Sequence, residues 1–417
     1  MYTSFFRKAM LGDTATLSLD LSSGSLPTAV TFTRADSTAR ATFINASGYV
    51  QTVASAGAAR FDYTGGVARG LLIEASATNL FRQSNDWTVS PWSNPAQITW
   101  DGSTTATAPD GVSAAKQITV TSGSSASLSN AVAIGTNRSL SVWLKAGSLN
   151  SFSIGMFETS DAWGAGGTNT ASIISGPGSV SQVVGALWNV TGLSTSVWTR
   201  VQLFRSTAST NLLAYPGSSG SGITGTAYIW GAQMESGTKA SSLIPTTTAS
   251  LTRLADDAVI RSTAWTGLYS KPGTIVVEYY RGEYGDGDRS VLAIDTAATK
   301  HMHLKHANAS AASGVYNSAG LGLATKITGN TTGLNKAAFN WSSANPSGIR
   351  YVINGGTAAS GPSDIGATLG TWMTIGSAST TGVSGSGTWE GYLNNSIKSV
   401  KYYSELLSDA EMIAKTT

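Results

Sequence analysis

Three histidines, the whole complement of the chain, fall within KHMHLKHAN as His301, His303 and His306. Side chains alternate along a strand, so His301 and His303 would share one face and His306 the other. Two imidazoles on one face can hold a transition metal. No carboxylate lies within the cluster, however, and Lys300 and Lys305 oppose a cation, so a polar strand or an interface is expected there and no metal centre. A second cluster, EYGDGDR over Glu283–Arg289, sets three acidic groups around two glycines. Oxygen donors of that kind suit calcium, although the spacing is not that of an EF-hand loop. A solvated hairpin tip is the leading expectation and no cofactor is expected; the alternative is that Asp286 and Asp288 act as donors to calcium or to sugar hydroxyls.

Covalent chemistry has no anchor in the motifs. There is no cysteine, which removes thiolate nucleophiles, thiolate metal sites and disulfides together. G-x-S-x-G, H-E-x-x-H and phosphate-binding G-x-x-x-x-G-K patterns are also missing, so no enzyme is expected. A glycosidase needs only two carboxyl groups at a suitable separation, which spacing in sequence does not reveal, and polysaccharide depolymerase therefore stays as an alternative. The aromatic residues are more informative. Twelve tryptophans and fourteen tyrosines in a chain only 12% charged suit glycan recognition, where a flat ring covers the apolar face of a pyranose. Trp143, Trp198, Trp230 and Trp389 lie in strand-like runs and are expected to pack. Trp92, Trp163 in DAWGAGG and Trp341 in NWSSANP lie in loop-like contexts and are the expected sugar contacts.

The elements that must position these residues read as strands. The chain of 417 residues carries 47 glycines, yet its hydrophobic fraction of 41% is too high for a disordered polymer, which favours short strands joined by tight turns. RSLSVWLK (Arg138–Lys145) alternates Leu140, Val142 and Leu144 against Ser139, Ser141 and Trp143, the period of a half-buried strand. Phe152, Ile154 and Met156 repeat it, and Val197–Phe204 and Ala227–Met234 follow, the last with Gly231 where a side chain would crowd a neighbour. Thr274–Tyr280, Ser290–Ile294, Ala337–Trp341, Ile349–Ile353 and Trp372–Ile375 restart the pattern. RYVINGG (Arg350–Gly356) runs into a hairpin turn, and Ser408 with Glu411 forms a capping-box signature for a short helix. The expected organisation is all-β: an N-terminal attachment region (1–85), an antiparallel jelly-roll sandwich (86–240), a Pro/Thr/Ser linker (241–257) that makes no core, and a second antiparallel sandwich (258–417).

Four segments together resemble bacteriophage head-spike, head-fibre and tail-fibre proteins, and the head spikes of gene transfer agents: RGLLIEASATNLF (Arg69–Phe81), IWGAQMESG (Ile229–Gly237), IPTTTASLTRLAD (Ile244–Asp256) and WEGYLNNSIKSVKYYSELLSDAEM (Trp389–Met412). The resemblance implies a carbohydrate-binding-like sandwich followed by a laminin-G or concanavalin-A-like one. It also implies a virion surface protein, made in the bacterial cytoplasm, that attaches to host cell-surface polysaccharide. Phe5, Phe6 and Met10 are then expected to dock the N-terminal region onto other virion proteins. A homotrimer or a vertex-matched ring would supply several weak sites at once. A purely structural decoration or connector role is the main alternative. Net charge of +3 without a basic block argues against nucleic acid, and no apolar run approaches the roughly 20 residues of a membrane span.

Overall fold

The computed structural model describes residues 15–93, 96–121, 128–157, 169–207, 209–217, 223–261, 273–282, 289–295, 301–306, 312–317, 326–328, 331–341, 349–361, 372–377 and 391–417. Among the described residues, the regular elements apart from a C-terminal helix, Asp409–Thr416, are strands in antiparallel sheets. Two sandwiches result.

In the first sandwich, Arg138–Ala146 lies at the centre of a six-stranded sheet. The order is Asn169–Ser175, Thr199–Arg205, Arg138–Ala146, Gly225–Ser236, Ala114–Val120, Ile98–Thr107. The facing five-stranded sheet runs Leu128–Gly135, Ser209–Pro216, Phe152–Phe157, Leu187–Thr191, Ser179–Val184. The alternation read from the sequence sets the core: Leu140, Val142 and Leu144 meet Phe152, Ile154 and Met156 between the sheets, all fully buried. The opposite face of the central strand carries Trp143 and Lys145, and that face positions the candidate site.

The second sandwich pairs residues from both ends of the chain. Its eight-stranded sheet contains Gly273–Arg281 between Gly333–Trp341 and Asn395–Tyr403. Along the other side of Asn395–Tyr403 lie Val67–Ile73 at one end and Leu17–Asp20 at the other. The seven-stranded sheet begins with Val30–Thr33 against Asp257–Arg261. Strands Leu17–Asp20, Val30–Thr33, Phe61–Thr64 and Val67–Ile73 are thus part of this sandwich rather than a separate N-terminal region, the hairpin of Thr42–Ile44 and Val50–Thr52 forms its own two-stranded sheet, and the first sandwich is inserted between the pieces of the second. The physical reason is that short strands carrying few apolar residues cannot enclose a core alone. Leu19, Leu21, Val30, Leu71 and Ile73 are buried by joining sheets whose other strands lie about 200 or more residues away. A two-stranded ribbon, Ala77–Asn79 with Leu251–Arg253, carries the chain into the insert and out again.

The Pro/Thr/Ser stretch also differs from expectation, because it makes core. Leu243 and Ile244 are 1% and 0% exposed, and Thr246 exchanges hydrogen bonds with Ser84. The hairpin and helix signatures are observed: Asn354 and Gly355 take left-handed conformations after strand Arg350–Ile353, and Ser408 and Glu411 cap the helix reciprocally. His301–His306 forms a strand whose backbone pairs on both sides; among the described residues no group of three metal-ligating side chains exists.

A buried charge cluster locks the insert to its host. Arg34, Arg60 and Arg253 meet Asp36, Glu74 and Asp256, with every side chain 5% exposed or less. Asp256 accepts from Arg34 Nη1 at 3.0 Å, from Arg60 and from the Glu74 amide at 2.9 Å. Glu74 accepts from Arg60 at 2.6 Å and from the Ser242 hydroxyl and amide at 2.7 and 2.8 Å. Burial opposes ionisation of Glu74 most strongly, but Arg253, Arg60 and Ser242 together hold its carboxyl down to about 2 from 4.5. That difference is worth about 3 kcal/mol, present above pH 4.5 and lost as pH falls from 4.5 through about 2. Glu235 and Asp62 have the opposite sign, since burial raises both carboxyls. Their contribution is complete below the unfolded values and lost as pH rises through the folded ones. Stability is therefore expected to peak at mildly acidic pH and to fall below about pH 4.5. Urea midpoints measured across pH check this; a Glu74→Gln variant should flatten the acid limb, and an unchanged limb would contradict the assignment.

Candidate functional site

The outer face of the six-stranded sheet is aromatic, and part of it is uncovered. Trp143 and Trp230 face each other edge-on at 5.5 Å and are 4% and 1% exposed. Val50, Ala108 and Leu243 close over them. The sheet accommodates this with a register shift between Ser141 and Trp143 and with Gly231 at φ +65°, where a Cβ would stand 2.6 Å from Trp143 Cε3. Gly231 is therefore the close approach expected from the sequence, and Trp143 is the neighbour it accommodates.

One step along the strands the cover ends. Lys145 pairs with Tyr228, Tyr228 with Gln117 and Gln117 with Asp101. Trp198 immediately precedes Thr199, the partner of Leu144. The register thus lays Trp198, Lys145, Tyr228, Gln117 and Asp101 in one row across five strands. Each is partly exposed. Trp198 and Tyr228 stand at 71° with centroids 6.5 Å apart, and the Lys145 ammonium lies 5.7 Å from the first ring and 5.9 Å from the second. Trp198 is pinned by its indole N–H, which donates to the Thr107 carbonyl at 2.8 Å. Tyr228 is pinned by Gln117 Nε2, which donates to its hydroxyl oxygen at 2.8 Å. At the end of the row, hydrogen bonds from the Ser103 hydroxyl and from Thr104 hold the Asp101 carboxyl well below the usual range. Two fixed aromatic rings beside hydrogen-bond donors can cover an apolar molecular face and bond polar groups around its rim.

The residues chosen from sequence as sugar contacts lie elsewhere. Trp92 is 6% exposed, stacked on Trp87 at 3.6 Å, with its indole N–H donating to the Gln83 carbonyl at 2.9 Å. Trp341 is 2% exposed between Phe339 and Tyr402. Trp341 is the last residue of strand Gly333–Trp341, and the Ala337, Phe339, Trp341 alternation carries its ring into the core of the second sandwich. Both are packing residues in this structure. Trp163, Asp286, Asp288, Phe5, Phe6 and Met10 lie outside the described residues, as does Trp389. Trp198, expected to pack, does so only partly. The overlooked signal was the far face of RSLSVWLK and AYIW: a strand whose core face is already complete, and which still presents aromatics opposite it, needs a second layer or a ligand there.

No family model and no curated protein matches the chain. Solved structures that match include the CBM40 of the Ruminococcus gnavus IT-sialidase, at 18% identity and TM-score 0.27, covering 37% of this chain and 87% of that one. The same domain bound to α2,3-sialyllactose matches at 19% identity and TM-score 0.28, and bound to α2,6-sialyllactose at 18% and 0.27, with the same coverage. Likeness of that degree carries no functional assignment. The class defined by the fold itself is an all-β protein of two antiparallel sandwiches, one inserted in the other.

Proposed function

We propose that this chain is a non-enzymatic, phage-type virion surface protein that attaches to host cell-surface polysaccharide, with the row from Trp198 to Gln117 as its binding surface. The carrying observation is the half-exposed Trp198–Tyr228 platform beside a buried aromatic pair on the same sheet face. Core packing accounts for Trp143 and Trp230 but leaves part of Trp198 and Tyr228 open, each fixed by a hydrogen bond. Such pre-ordering lowers the entropy cost of binding. The virion setting rests on the motif resemblance. A flat surface of two rings binds weakly, and several copies on one particle would raise avidity without new contacts.

Trp198→Ala is expected to weaken binding to purified bacterial surface polysaccharide about tenfold, the loss of roughly 1.4 kcal/mol of ring contact. The polymer should keep its length throughout. Unchanged binding would remove the platform from the account, and shortened polymer would make the protein an enzyme.

A further inference from the structure

The platform presents donors and a cation, and no acceptor of comparable strength. Tyr228 Oη accepts from Gln117, so its own proton remains available to a ligand. Lys145 lies over both rings and has no ion-pair partner among the described residues. The acidic member of the row, Asp101, is three strands away along Tyr228 and Gln117. At about 4.8 Å per strand that is about 14 Å, beyond the screening length at physiological salt. Asp101 also already accepts from the Ser103 amide and hydroxyl at 2.8 and 2.6 Å. A neutral saccharide would use the rings and leave the ammonium without a counter-charge at the contact. An acidic one would satisfy all three groups.

Resting on the adhesive reading above, we infer that the row selects an anionic saccharide: a pyranose stacked on Trp198 and Tyr228 whose acidic substituent pairs with Lys145 and accepts from the Tyr228 hydroxyl. The shared chemistry is an anion on a sugar ring, either the carboxylate of a uronic acid or a sulfate ester. A charge-assisted hydrogen bond is shorter and stronger than a neutral one, and the discrimination it gives diminishes as salt screens the pair.

The test is equilibrium binding of the full chain to surfaces coated with polygalacturonate, fully methyl-esterified polygalacturonate, dextran sulfate or dextran. At least one acidic polymer should bind about tenfold more tightly than its neutral counterpart. Which one does so separates carboxylate from sulfate. Lys145→Gln should remove the difference. Lys415→Gln, which deletes an equal charge from the Tyr403 ring near the C-terminus, should leave it intact and so excludes a general effect of net charge. Acidic and neutral polymers binding alike, with both lost in Trp198→Ala, would overturn charge selection and leave the adhesive reading standing. Wild-type preference in Lys145→Gln, or no binding to any of the four polymers, would overturn charge selection as well. Binding that survives Trp198→Ala unchanged would overturn the site on which both readings rest.

Discussion

Asp256→Ala is expected to lower unfolding stability by about 3–5 kcal/mol, the cost of leaving buried charge without its partner. The carboxylate is fully buried and serves Arg34, Arg60 and the Glu74 amide together. These groups lie at least 182 residues from Asp256 in sequence, so its removal leaves the cluster one negative charge short and the Glu74 amide without its acceptor, although Arg34 keeps Asp36 and Arg60 keeps Glu74. Asp256→Asn keeps the volume and isolates the charge; it should recover only a minor part of the loss. The contrasting surface pair, Lys116 with Asp86 at 3.8 Å, has both side chains about 40% exposed, and Lys116→Ala should change stability by less than about 1 kcal/mol. Urea denaturation of the variants gives the comparison. Equal midpoints for Asp256→Ala and wild type would mean that the charge cluster does not hold the two sandwiches together.

Gly70→Ala is expected to be comparably damaging, for a steric reason. Gly70 sits inside strand Val67–Ile73 at φ +111°. A Cβ there would lie 2.6 Å from Ile397 C and 2.7 Å from Lys398 Cα, and closer still to the Ile397 carbonyl oxygen. All three are backbone atoms of the paired strand, which cannot rotate away as a side chain would. Strain at that φ costs about 1–3 kcal/mol and overpacking about 1–3 more, so the total is roughly 2–6 kcal/mol. The expected consequence is loss of the register that joins Leu71 to Ile397 and Ile73 to Asn395. Faster amide exchange over 67–73 and 395–397 in the variant is the direct readout; unchanged protection would contradict the steric argument.

The glycine and the charge cluster also show what the sequence could convey. Local patterns were readable. The Leu140, Val142, Leu144 alternation, the Ser408/Glu411 cap and the Asn354–Gly355 turn each depend on neighbours within a few residues, and each appears in the structure as read. Non-local pairing was not readable. Nothing near Val30 or Leu71 indicates that their partners are Ile260 and Ile397, so the N-terminal strands looked like a weak separate region. The segments RGLLIEASATNLF and SLTRLAD hold Glu74, Arg253 and Asp256, whose common role emerges only when the ribbon at Ala77–Asn79 brings them together.

The proposed binding surface is hidden from the sequence for a related reason. Loop-like context points to Trp92 and Trp341, but a stack on Trp87 buries the first ring and strand alternation the second. The platform instead combines Trp198, one residue before a strand, with Tyr228, Lys145 and Gln117 from three others. Lys145 and Tyr228 could have been placed opposite the core by alternation alone. Their adjacency required the register.

Fluorine NMR of protein carrying 5-fluorotryptophan tests the central claim most directly, with the Trp198 resonance assigned by its loss in Trp198→Phe. On adding bacterial surface polysaccharide, the account predicts that the Trp198 resonance shifts or broadens in a saturable way while those of the buried Trp143 and Trp230 hold their positions. A saturable response at other tryptophans with Trp198 unmoved would contradict it, and would relocate recognition away from the outer face of the six-stranded sheet.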